Sequence, residues 1–274
     1  MVAAASALAE QQPSSPRPGW PCVGRPDPSL VQVSEASGGQ VFLLDPSEVE
    51  SSATVLLARN GLDETLRRVL GELEPGNRTF EVEIDGSVSR ALFSVSLQCL
   101  QALEIVRPSG TPVSSAEPDV SWTQFQAGRL VAIDSPEPGR WQVRLAGKGL
   151  VSVVVNARSD LTLAGVRLVR AGGRPGHEGL MRDDTPLVRG TTRLLEISLT
   201  RGIVAPSFEL RGGADERLGA ISARTVDDGS AEQVFLSEFQ VPAVPFRLVV
   251  TSRDAAGRIV QRVQGSLFQL SRSR

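Results

Sequence analysis

Tyrosine is absent from these 274 residues, histidine occurs once, at His177, and lysine once, at Lys148. Histidine is the usual general base and metal ligand near neutral pH, so its scarcity argues against hydrolase triads and zinc sites. Lysine-based covalent chemistry has Lys148 as its sole candidate. The two cysteines, Cys22 and Cys99, fit no metal-site spacing and are too few for a disulfide framework. A bridge between them stands open beside the plainer reading of two unpaired thiols. Charge is balanced, 29 basic against 31 acidic residues for a net of −2, which leaves no footprint for nucleic acid. No apolar run approaches the length of a membrane span. Met1 to Ala9 lacks the basic start of a signal peptide. The residues alone therefore point to a soluble intracellular chain with no cofactor and no catalytic machinery.

What is present is enough apolar residue, 41%, to build packed cores. Residues 11–30 carry six prolines, which remove backbone donors and block helix and central strand alike; Trp20 sits among them. We expect a disordered Pro-rich arm over residues 1–33. A buried apolar run, Val41 to Leu44, and a helix-start signal at Asp45-Pro46-Ser47-Glu48 follow. Leu62, Leu66, Val69, Leu70 and Leu73 keep an approximately helical period. Residues 34–73 thus read as one strand and one or two helices, too small to close a core and poorly anchored.

Beyond Glu74-Pro75-Gly76 the period becomes two. Phe80, Val82 and Ile84 alternate with acids, and Phe93, Val95 and Leu97 with polar residues. Trp141, Val143 and Leu145 repeat the pattern, as do Val151, Val153 and Val155. Short alternating strands between turn clusters predict a β-sandwich over 74–171. The run AGGRPGHEG opens an expected linker, 172–183, and a second, immunoglobulin-sized sandwich is expected over 184–270.

Three pieces, in order, carry a family resemblance. Ser34-Glu35-Ala36-Ser37-Gly38-Gly39-Gln40-Val41-Phe42 resembles the closing strand of a von Willebrand factor A domain. Pro136-Glu137-Pro138-Gly139-Arg140-Trp141-Gln142-Val143 resembles a hairpin of the β domain that follows the A domain in hemicentins. Val241-Pro242, Pro245-Phe246-Arg247-Leu248 and Arg253 to Arg258 resemble a later segment of the same proteins. The resemblance implies a mainly β chain. Two antiparallel β-sandwich domains, galactose-binding-like and then immunoglobulin-like, would follow a small α/β remnant of a von Willebrand A domain. It also implies a secreted, matrix-type protein whose partners are other extracellular proteins.

Each candidate site has a plainer reading. Asp85-Gly86-Ser87-Val88-Ser89 spells the Asp-x-Ser-x-Ser string by which A domains bind a divalent cation. Alternating strands flank it on both sides, however, so a β-turn is expected instead. Asn77-Arg78-Thr79 is a glycosylation triplet placed just before a strand, and Asn77 is the one site residue we single out. Asp183-Asp184 and Asp227-Asp228 read as solvated turns, since hard cations need six or more oxygens. Gly173-x-x-Gly176-x-x-Gly179 imitates a phosphate loop but contains Pro175, and His177 within it has no visible partner. Trp122 and Trp141 are a candidate sugar platform, with Trp141 in the apolar phase of its strand. The leading expectation is a non-catalytic extracellular module for adhesion or spacing. The alternative is a carbohydrate- or calcium-dependent binding module on the first sandwich.

Overall fold

The computed structural model describes residues 2–4, 22–174, 177–226 and 231–271. Trp20, Pro175, Gly176, Asp227 and Asp228 lie outside these residues. The chain is mainly β, in several predominantly antiparallel sheets.

The N-terminal part comprises strand β1 (Val2–Ala4), helix α1 (Pro28–Ser37), strand β2 (Gln40–Phe42), a 3-10 turn (Pro46–Ser51) and helix α2 (Ser52–Ala58). Helix α1 begins inside the segment expected to be a disordered arm. The reason is local: Asp27 accepts from the Ser29 N–H at 2.7 Å, Pro28 occupies the first turn, and Gly38 at φ 72° ends the helix. Asp45 and Glu48 form a reciprocal capping box at the next turn, as the sequence signalled.

The first β unit is one five-stranded antiparallel sheet in the order β3-β7-β4-β6-β5. Its strands are β3 (Glu64–Ile84), β4 (Val88–Val106), β5 (Val120–Phe125), β6 (Gly128–Asp134) and β7 (Gly139–Ser159). Strand β3 contradicts the expected helix through Leu66 and Leu73. Both faces of its first half are covered, so its apolar residues do not alternate: Leu66 and Val69 enter the core while Arg68 is buried on the other side. Pro75-Gly76 does not mark a domain boundary either. It falls at a register shift between Leu73 and Gly76, and β3 is an outer strand, where proline is tolerated. Further shifts in β4 near Leu97 and Leu100 bend the long strands. Side chains from both sides of the bends then share one core: Phe80, Val82, Ile84, Phe93, Val95, Trp141, Val143, Val151, Val153 and Val155.

The other face of this sheet is covered by the N-terminal part, contrary to the expectation of a poorly anchored segment. Phe42, only 1% exposed, packs with Leu92, Phe125, Leu130 and Ala132, while Val41 and Leu43 pack with Ala127 and Leu150. Gly128 makes room for Phe42, because a Cβ there would lie 2.4 Å from the Val95 carbonyl oxygen and 3.0 Å from the Phe42 ring. Polar ties fix the layer. Leu43 N–H donates to Ser96 Oγ at 3.2 Å, Gln126 N–H to Glu48 at 2.8 Å, and Val23 N–H to the Gln98 carbonyl at 3.0 Å. A Cys22–Cys99 disulfide closes it, so the two thiols are not free.

The second β unit is a two-sheet sandwich, and it starts earlier than expected. One sheet has the order β13-β14-β10-β8-β9, the other β12-β11-β15-β16. The segment expected as a linker is instead β8 (Leu163–Arg174) paired with β9 (His177–Arg182). Strand β8 also pairs with β10 (Thr192–Leu199), so this segment is built into the sheet rather than forming a hinge. The remaining strands are β11 (Val204–Arg211), β12 (Arg217–Ile221), β13 (Arg224–Val226), β14 (Gln233–Gln240), β15 (Arg247–Arg253) and β16 (Ile259–Val263). Leu195, Ile197 and Leu199 from one sheet meet Phe208, Leu210, Leu248 and Val250 from the other, with Phe235, Phe239 and Phe246 between.

The disulfide spans 77 residues. By the loop-closure estimate, Cys22→Ser should lower unfolding free energy by about 4 kcal/mol. Urea unfolding of the variant against the parent checks this; an unchanged midpoint would mean the tie does not support the fold.

Candidate functional site

Arginine in this chain sits where strand patterning calls for apolar residues: Arg247 follows Phe246 and precedes Leu248, and Arg262 lies between Val260 and Val263. Both side chains are buried at the junction of the two β units. A buried guanidinium is tolerated only when carboxylates and carbonyls engage it; two clusters engage Arg262 and Arg247, and a third holds the half-buried Arg67 and Arg211.

The first is centred on Asp85. Its Oδ1 accepts from the Ser87 N–H at 3.0 Å and from the Ser87 hydroxyl, the turn geometry expected from the sequence. Its Oδ2 accepts from Arg262 Nη1 at 2.7 Å, and neither side chain has any solvent exposure. Arg262 also donates to Ser159 Oγ at 2.7 Å and to the Leu161 carbonyl at 2.7 Å. Glu64, at the start of β3, lies 3.8 Å from Arg262 Nε and accepts from the Leu163 N–H at 3.1 Å. The carboxylate and hydroxyl oxygens of the Asp-x-Ser string therefore hold a guanidinium belonging to the second β unit. Burial alone would raise the Asp85 carboxyl, but the hydrogen bond and charge of Arg262, with the Ser87 bonds, hold it below its ordinary value. Burial does raise Glu64, outweighing the Leu163 bond and Arg262.

The second cluster is centred on Glu35 of α1, 6% exposed. Its Oε1 accepts from Arg68 Nε at 3.0 Å and Nη2 at 2.7 Å; its Oε2 accepts from Arg247 Nη2. One carboxylate thus joins the N-terminal layer, β3 and β15. Burial pulls the Arg247 guanidinium down to about 10, against the opposing charge of Glu35. The Glu35 carbonyl also accepts from the Leu267 N–H at 2.9 Å. In the third cluster Asp215 takes Arg67 on one oxygen and Arg211, at 3.0 Å, on the other. Beside it the Leu70 N–H donates to the Gly213 carbonyl at 2.9 Å. Together these clusters form an ionic and backbone seam between the two units.

The remaining sequence candidates are scattered. Asp183 accepts from Thr185 N–H at 3.1 Å and from Arg193 at 2.9 Å, and Asp184 pairs with Arg182. His177 opens β9, and its side chain lies outside the described residues. Among the described residues no three His, Cys, Asp or Glu side chains converge as a metal set. Trp141 is buried, its indole N–H donating to the Glu137 carbonyl at 2.8 Å, with Arg107 5.4 Å over its ring. Trp122 is only half-buried and lines a groove of about 620 Å3 with Asn77, Arg78, Glu104, Val113 and Arg144. The two tryptophans therefore do not form a joint platform.

The covering layer, the bent sheet and its loops together define the first unit. Residues 65–160 match the hemicentin galactose-binding domain-like family. This hemicentin-like domain runs from the start of β3 to the end of β7, so the match begins before the expected boundary at residue 74. No curated protein matches the chain. Among solved structures, the lipase BlEst2 of Bacillus licheniformis in its propeptide form is 13% identical, with a TM-score of 0.27. The alignment covers 71% of this chain and 43% of that one, so this chain spans less than half of the lipase's length. At that score the likeness carries no argument about fold or activity. No helix among the described residues is long and apolar enough to cross a membrane.

Replacing Glu35 by Gln leaves two buried guanidinium groups facing an amide, and should cost about 3–5 kcal/mol; chemical unfolding measures it, and a loss under 1 kcal/mol would be a rim-type pair instead. Asp85 carries a pH signature. Its folded value lies below the unfolded 3.8, so its contribution is present above that pH and is lost as pH falls through the folded value. Glu64 has the opposite sign, its contribution fading as pH rises through its raised value. The Tm gap between parent and Asp85→Asn should therefore shrink on acidification below 3.8; a widening gap would reverse the assignment.

Proposed function

We propose that this chain is a non-catalytic extracellular module of a matrix or adhesive protein. Its two β units would act as one rigid spacer that presents surfaces to other extracellular proteins. The observation that carries the reading is the hemicentin-like domain at residues 65–160. The Cys22–Cys99 disulfide supports an oxidising compartment. The seam supports rigidity, because its carboxylates are engaged by arginines rather than poised for chemistry. On the sequence resemblance we also read the sandwich from β8 onward as immunoglobulin-like. The α/β layer before β3 is then the end of a von Willebrand A domain, as in von Willebrand factor A domain-containing protein 7. The chain is similar to such proteins in the order of its pieces, and their partners are not assigned to it.

A second reading, a carbohydrate-dependent module, is favoured by the half-buried Trp122 in its groove. Its calcium-dependent form has less support, since Arg262 already fills the Asp85 site. A glycan array and a calcium titration of the Tm separate the readings, flat responses removing the second. The leading reading is tested by fractionating cells that make the endogenous protein and titrating its thiols. Recovery from medium or matrix with no reactive thiol is expected; recovery from cytosol with two free thiols would overturn it.

A further inference from the structure

We propose that the Trp122 groove seats the first sugars of an N-linked glycan carried on Asn77, an inference that rests on the extracellular reading. Asn77 is exposed, lies in an Asn-x-Thr triplet, and itself lines the groove, so a glycan attached there starts at the groove's rim. The curvature of the sheet makes this possible. Asn77, expected just ahead of a strand, lies instead within β3, and Trp122 lies on β5; these are the two outermost strands of the hydrogen-bonded order, yet both residues line one concavity.

The lining suits a pyranose. Trp122 offers an aromatic face for the C–H side of a sugar ring, over a floor that includes Leu103, Val113 and Leu145. The Arg144–Glu104 pair, 3.1 Å apart, and Arg78 supply donors and acceptors at the rim for hydroxyl and acetamido groups. The volume of about 620 Å3 lies within the 300–1,000 Å3 typical of small-ligand clefts. Attachment at Asn77 also makes the contact intramolecular, at an effective concentration of about millimolar, so weak stacking is enough to hold it. A free saccharide would have to bind without that advantage.

The test uses the full chain with Trp20→Phe, made in a eukaryotic secretory pathway behind an added secretion leader. Trp122 and the buried Trp141 are then the remaining fluorophores. Glycopeptide mass spectrometry should find Asn77 occupied. Enzymatic removal of the glycan should increase acrylamide quenching, shift emission to the red and lower the Tm by about 2–4 °C. A further Trp122→Ala change should abolish that Tm difference. Bare Asn77 in secreted, oxidised protein would overturn this inference alone and leave the extracellular reading standing, as would an occupied Asn77 whose removal leaves quenching unchanged. Retention in the cell with free thiols would count against both.

Discussion

A guanidinium taken out of water must meet acceptors in a fixed arrangement, and this architecture depends on that requirement. Arg68, Arg247 and Arg262 are each at most 2% exposed. The acceptors they need come from different parts of the chain: Glu35 from the first helix, Asp85 from the β3–β4 turn, Gly38 and Gly39 from the approach to β2. Hydrophobic contacts are tolerant of sliding; a planar fork with five donors is not. The two β units are thereby held in one relative orientation. At these three positions a lysine ammonium would not present a planar fork to two partners.

The N-terminal layer has a role that its composition conceals. Taken alone, it is two short strands, two short helices and a 3-10 turn with no core of their own. On the sheet it becomes the second face of the first unit, burying Val41 to Leu44 against it, and the Cys22–Cys99 disulfide ties it there. It then reaches the second unit through Glu35. Loosening this layer would expose an apolar sheet face and uncouple the two β units at once.

The inner face of the first sheet was legible in the sequence as a period of two: at Phe80–Ile84 and Trp141–Leu145 one face stays solvated, while at Phe93–Leu97 and Val151–Val155 the second face is covered but carries the small polar residues Ser94, Ser96 and Ser152. The Asp85 turn was legible from its residue types and flanking strands. The start of β3 was not, because large side chains on both of its covered faces erase the alternation and leave Leu66, Val69 and Leu73 at a spacing that imitates a helix. The β8–β9 pair was hidden by its glycines, which mark breaks more often than edges. The seam was hidden for a deeper reason: Glu35 and Arg247 are 212 positions apart, and charge in a strand gives no hint of its partner. The visible trace was an arginine in an apolar run, at Phe246-Arg247-Leu248 and Val260-Gln261-Arg262-Val263.

The most direct measurement of the coupling is native-state amide hydrogen exchange at Leu70 and Leu267, whose N–H groups donate across the seam to Gly213 and Glu35. If the seam makes one rigid body, both amides exchange only through global unfolding, with the same free energy as core amides such as Val153. Exchange of Leu70 and Leu267 at loop-like rates, while Val153 stays protected, would contradict it.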